Sequence, residues 1–167
     1  QLGKQATGFE DPYILNSEGN VYATLGMWKD ARESYVSSQR GFQAAKGFRG
    51  RNGSTTNRLD GAVYAASNAA LALVQLGEEE RAIKEIEAVA RRAPNSSDMR
   101  VALAALYWDQ GKEVAAEEQF DFACQHIMAG CSKYRDIDWV TRIRRWPPVM
   151  VSKLQSFLAI QSTASAA

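Results

Sequence analysis

The sequence predicts an all-α chain of consecutive helix pairs, and three observations carry that prediction. Matching residue types return at an offset of 34: Gly77 as Gly111, Ala82 as Ala116, Ile86 as Phe120 and Leu73 as Tyr107. Such a period is the mark of a repeat array. Apolar side chains recur at the 3.6-residue spacing of helices buried on one face. Glycines separate those segments where a helix hairpin must turn.

The clearest unit spans residues 62–94. Its first helix, VYAASNAALALVQL, ends at Gly77, and its second, EEERAIKEIEAVARRAP, opens on Glu78, Glu79 and Glu80 and closes on Arg91 and Arg92 before Pro94. Both ends carry the charge that a helix dipole favours. Ile83, Ile86, Val89 and Ala90 form the core face, with small Ala82 where two helices approach. The next unit, 97–128, repeats the pattern with Leu103, Tyr107, Ala116, Phe120 and Ala123 facing inward. An earlier unit, 12–46, supplies Gly19, Tyr22, Gly26, Ala31 and Tyr35 at the same relative spacings.

Gly26 and Gly77 lie 51 residues apart, 17 more than one repeat. The excess is assigned to a lengthened second helix, ending near Lys46, and an exposed loop over 47–61, GFRGRNGSTTNRLDG, whose glycines and polar residues oppose regular structure. After Gly130 the pattern degenerates. CSKYRDIDWVTRIRRWPP gives at most a short helix, while VMVSKLQSFLAI is amphipathic, with Met150, Leu154, Phe157 and Leu158 on one face behind Pro147 and Pro148. Residues 132–161 therefore read as a cap on the open end of the stack. The whole chain, 1–167, is a single domain.

The order of small residue, aromatic, turn glycine, alanine, aromatic and terminal proline resembles the tetratricopeptide repeat over about residues 12–128. That resemblance implies a right-handed solenoid of about three helix pairs with a degenerate capping pair. It also implies a concave surface, lined by the first helix of each pair, that holds an extended peptide. By register Tyr13, Asn16, Asn20, Ser67, Asn68, Asp98, Val101, Ala105, Trp108 and Asp109 face that surface. Asn20 and Asn68 stand where peptide-binding relatives place asparagines, whose amides both donate and accept. The lysines and arginines that clamp a terminal carboxylate in chaperone-binding relatives are missing, since Asn16, Asp98 and Ala102 stand at those positions. A neutral or basic peptide suits Asp98 and Asp109 better. Trp108, at the groove edge, is either an anchor for a partner or a packing residue of its own domain.

A narrower resemblance rests on DPYILNSEGNVYATLG, RLDGAVYAASNAALALVQLG and RIRRWPPVMV. These stretches look similar to a plant and algal family of tetratricopeptide-like proteins of the chloroplast thylakoid lumen. It implies a mature plastid protein and a partner within a thylakoid complex.

Composition narrows the remaining classes. Hydrophobic residues make up 46% and charged residues 23%, enough for a core, and a net charge of +1 gives no bulk attraction to nucleic acid. No run approaches the roughly 20 apolar residues of a membrane span, and QLGKQATGFEDP lacks the apolar centre of a secretory signal. Two basic clusters are candidates for secondary partner contacts: Arg49, Arg51 and Arg58, and Arg142, Arg144 and Arg145 beside Trp139 and Trp146. The first lacks the order of a phosphate-binding loop and follows no strand. In the second, the tryptophans are read as sealing the last helix pair and the arginines as pairing with acids or stacking on rings.

His126 lies between Cys124 and Cys131, but no four-ligand metal set accompanies it. On one helix residues seven apart lie roughly 10 Å apart, too far for a disulfide, and a break at Gly130 would close that distance. Two thiols and a disulfide both remain open. No serine or cysteine nucleophile with a supporting base and acid is evident, so no catalytic residue, metal, cofactor or small-molecule substrate is expected. The chain reads as a non-catalytic protein-binding adaptor or assembly factor. Its alternatives are a structural subunit that uses convex or terminal surfaces, and an enzyme dependent on His126.

Overall fold

A computed structural model describes residues 10–44, 56–128 and 130–164. Among these the chain is all-helical: α1 (Pro12–Thr24), α2 (Trp28–Ala44), α3 (Thr56–Gln75), α4 (Glu79–Arg92), α5 (Ser97–Asp109), α6 (Glu113–His126), a 3-10 turn (Ser132–Arg135), a π turn (Trp139–Ile143) and α7 (Pro148–Ala164). Each of α1 to α5 packs on its successor, and α7 packs back on α5 and α3.

Local chemistry fixes the helix ends. Asp11 caps α1 by accepting from the Tyr13 amide at 2.8 Å, with Pro12 in the first turn. Ser96 caps α5 through Met99 N at 3.4 Å. Glu79 and Glu80 open α4, and Arg91 and Arg92 close it.

The turns after α1, α3 and α5 are copies of one another. Gly26, Gly77 and Gly111 have φ of 76°, 78° and 73°, a region that side chains with a Cβ rarely enter. In each, the following amide reaches back five residues, Met27 to Tyr22, Glu78 to Leu73 and Lys112 to Tyr107, at 2.9 Å in all three. This is the glycine-ended helix closure that satisfies orphan carbonyls.

The loop expected over 47–61 is shorter than that, because α3 already begins at Thr56. Gly61, read there as a breaker, is a packing residue: a Cβ on it would stand 2.5 Å from Phe42 Cζ. Its missing side chain lets α3 meet α2. Residues 45–55 lie outside the described residues, and with them the end of the lengthened second helix near Lys46 and the candidates Arg49 and Arg51. Arg58 lies in the first turn of α3.

One apolar cluster runs from α3 through α7 and includes Leu71, Leu73, Ile86, Leu106, Phe120, Val140, Trp146, Met150, Leu154 and Phe157. Central α5 is buried all round, from Val101 to Leu106. A smaller cluster of Ala31, Tyr35 and Ala69 joins α2 to α3. Arg32 locks that junction to α4, donating to the Ala69 carbonyl at 2.6 Å and to both carboxylate oxygens of Glu85 at 3.0 and 2.8 Å. A forked guanidinium on one carboxylate has fixed geometry.

Candidate partner-binding face

Over α3 and α5, the face expected to hold a peptide is occupied by the chain's own C-terminal segment. Val101 and Ala105 are fully buried, and Ser67 and Asn68 nearly so. Above them lie the π turn, Trp146 and α7.

At the centre is one carboxylate with three donors. Asp98 accepts from Arg144 Nε at 2.9 Å and Nη2 at 2.5 Å, from Trp146 Nε1 at 3.0 Å and from the Tyr134 hydroxyl at 3.0 Å. The remaining Arg144 nitrogen, Nη1, donates to Asn68 Oδ1 at 2.8 Å, and Asn68 Nδ2 donates to Asn16 Oδ1 at 3.2 Å. A polar ladder thus crosses from α1 through α3 to α5. Burial opposes the Arg144 cation, but the charge and hydrogen bonds of Asp98 prevail and hold its pKa above the ordinary arginine value. Burial raises Tyr134 strongly, and the neighbouring Asp98 carboxylate adds to it. Its hydroxyl therefore stays a donor. Arg144 also lies over the Tyr64 ring, 4.7 Å from its centroid.

The second groove carboxylate is taken in the same way. Lys153 on α7 pairs with Asp109 at the end of α5 and with Glu79 at the start of α4, the latter at 2.9 Å. Burial opposes this ammonium, and its hydrogen bonds to Asp109 and Glu79 outweigh that and raise its pKa. The cations that meet Asp98 and Asp109 therefore belong to the chain itself.

Of the remaining expected contacts, Asn20 Oδ1 accepts from the Tyr35 hydroxyl at 2.9 Å, which ties α1 to α2. Trp108 is half-buried, its ring 6.0 Å from that of Phe157. The cluster Arg142, Arg144 and Arg145 divides three ways. Arg142 forms an exposed pair with Asp138. Arg144 is only 7% exposed, which removes it as a surface contact. Arg145 is exposed, with a left-handed φ of 58° between buried Arg144 and buried Trp146. Trp139 is half-buried against Tyr134, with centroids 5.5 Å apart. Trp146, which donates to Asp98, ties the segment to α5.

Cys124 and Cys131 form a disulfide, with Cα atoms 4.7 Å apart. α6 stops at His126, Ile127 is extended and Gly130 adopts φ 57°, so the chain bends back and closes the distance that a helix would leave. His126 stacks on Phe122 at 5.0 Å and an interplanar angle of 14°. No metal-holding group of three or more His, Cys, Asp or Glu side chains occurs among the described residues. None of the described helices is long and apolar enough to cross a membrane.

Among the open hollows, two adjoin the C-terminal segment. A hollow of about 640 Å³ lies between α3, the α4–α5 turn and the π turn, walled by Val63, Tyr64, Pro94, Tyr134, Trp139 and Ile143. A smaller one of about 380 Å³ lies on α1, between Ser17, Asn20, Val21, Thr24, Leu25 and Arg145. The sequence reading named Arg145 but missed Val21 and Leu25. Their signal was legible: Ile14, Val21 and Leu25 lie seven and four residues apart, a second apolar stripe on a helix whose other side carries Gly19 and Tyr22. Compared with family models, with curated proteins and with solved structures, the chain matches none.

Proposed function

We propose that the chain is a non-catalytic protein-interaction module of tetratricopeptide type, a right-handed array of three helix pairs. In this reading it is an adaptor or subunit of a larger assembly that engages partners through its terminal and outer surfaces. The three superposable glycine turns and the 34-residue offset support the repeat assignment. The observation that carries the choice of surface is the occupation of Asp98, Asn68 and Asp109 by Arg144 and Lys153. A partner peptide entering there would have to displace the buried Arg144–Asp98 pair and the Met150, Leu154 and Phe157 side chains of the core. This favours the structural-subunit form over a peptide held in the groove.

Cross-linking of the assembled protein, with the linked residues read by mass spectrometry, tests the reading. Links to a partner should concentrate on α1 and around Tyr64 and Ile143. Links confined to residues beneath α7, with loss of α7 protection, would restore the groove as the binding site.

The similarity to thylakoid-lumen proteins supports a lumenal setting, and the Cys124–Cys131 disulfide fits a compartment where such bonds persist. Fractionation of source tissue with immediate thiol trapping checks both points. Recovery in a reducing compartment with both thiols free would reject them.

A further inference from the structure

Exposed apolar surface is unevenly spread on this protein. Of the eleven large hydrophobic side chains exposed among the described residues, five fall between Tyr13 and Met27, on or just after α1. Scattered single residues need no explanation, whereas a contiguous patch does. Tyr13 is partly accounted for by its edge contact with Phe42 at 4.8 Å. Ile14, Val21 and Leu25 are 54%, 58% and 66% exposed and lie along one side of the helix.

A cation stands at the edge of this stripe. Arg145 lines the 380 Å³ hollow with Ser17, Val21, Thr24 and Leu25. Its two arginine neighbours are committed, Arg142 to Asp138 and Arg144 to Asp98, while Arg145 pairs with no carboxylate among the described residues. Its backbone, at φ 58°, lies in the left-handed region that residues other than glycine rarely adopt. The neighbours impose it: Arg144 and Trp146 both turn inward to Asp98, and the residue between them is left pointing to the other side. The guanidinium is thereby presented beside α1 by a rigid support.

We propose that the exposed stripe of α1, with Arg145 at its edge, docks an acidic amphipathic segment of a partner protein. Apolar side chains of that segment cover Val21 and Leu25, and a carboxylate meets Arg145. A single free guanidinium next to bare apolar side chains matches a carboxylate beside leucine-like residues. It does not match the row of phosphates in a nucleic acid, which needs several cations along a track. α1 has thirteen residues, so the complementary segment is about three to four turns of helix. This inference rests on the protein-interaction reading above and adds the surface and the chemistry of the partner.

The test uses a labelled amphipathic peptide of about 14 residues, roughly the length of α1, with leucines at helical spacing flanked by glutamates. A control replaces every glutamate with lysine. Amide shifts of the whole chain locate binding, and anisotropy measures affinity. The acidic peptide is expected to shift Ser17, Val21, Leu25 and Arg145, and to bind less tightly as salt rises. Arg145→Gly accepts the left-handed backbone, so the fold is kept while affinity falls tenfold or more. Arg145→Lys keeps the charge and most of the affinity, and a Val21→Ser, Leu25→Ser double variant loses binding at exposed positions that folding does not need.

Equal binding of the lysine peptide would overturn the proposal. So would a concentration-dependent dimer in sedimentation that the Val21→Ser, Leu25→Ser variant abolishes, which would assign the stripe to a second copy. Shifts centred on Tyr64 and Ile143 would overturn the α1 site and leave the interaction reading intact. Absence of shifts anywhere with either peptide would overturn the α1 site, while the cross-linking experiment decides the interaction reading separately.

Discussion

Arg144 directs Nε and Nη2 at the two carboxylate oxygens of Asp98, 46 residues earlier in the chain, and only 7% and 15% of these side chains is exposed. The pair joins α5 to the turn before α7, and Arg144 Nη1 extends it to Asn68 on α3. Removing Arg144 leaves a buried carboxylate with two neutral donors; removing Asp98 leaves a buried cation. Arg144→Ala and Asp98→Ala are each expected to cost about 3–5 kcal/mol. The double variant should cost clearly less than their sum, because neither orphan charge remains. Urea unfolding of the three variants measures this.

Phe157 is fully buried on α7, with its ring 5.1 Å from Phe120 and 6.0 Å from Trp108. Phe157→Ala should cost about 3–5 kcal/mol through lost burial and the cavity left behind. α7 packs on α5 in the same apolar cluster, so the variant should also bind an apolar dye more strongly. Thermal melts and dye fluorescence read the two effects.

The Cys124–Cys131 bond closes a short loop between the end of α6 and the 3-10 turn that carries Tyr134. Its loss, by reduction or by Cys124→Ser with Cys131→Ser, should lower stability by roughly 2–3 kcal/mol. Unfolding midpoints with and without dithiol should differ for the native chain and coincide for the double variant.

Burial pushes the Tyr35 hydroxyl up to about 12 from an ordinary 10, and burial also raises Tyr107 and Tyr134, helped by Glu87 and Asp98 respectively. The folded state thus holds protons that the unfolded state releases above pH 10. Their contribution is complete below pH 10 and is lost as pH rises toward the folded values. Stability should fall between about pH 10 and 12, and Tyr35→Phe should flatten that fall. Denaturant midpoints across this range test it.

The helix pairs were legible because their determinants are local. Gly26, Gly77 and Gly111 end helices by a backbone rule that depends on a few neighbouring residues, and the acidic and basic ends of α4 follow the same logic. Gly61 was misread for the same reason. A glycine that breaks a helix and one that admits Phe42 look alike until α2 and α3 are in contact. Val21 and Leu25 were legible as a stripe, but whether a stripe is buried or bare depends on which helices pack there.

Sequence alone determined the all-helical class, the charged ends of α4, the inward faces of Ile86 and Phe120, and the terminal helix with Met150, Leu154 and Phe157 on one side. Period, capping and turn chemistry act over a few residues, and a repeated unit states them more than once. The tertiary structure alone decided that this terminal helix lies across α3 and α5, that Asp98 and Asp109 receive Arg144 and Lys153, and that Cys124 reaches Cys131. Charge and apolar area specify what kind of group a surface will take. Which group reaches it depends on the path of the whole chain, and here the residues that fill the face follow 36 to 76 positions later.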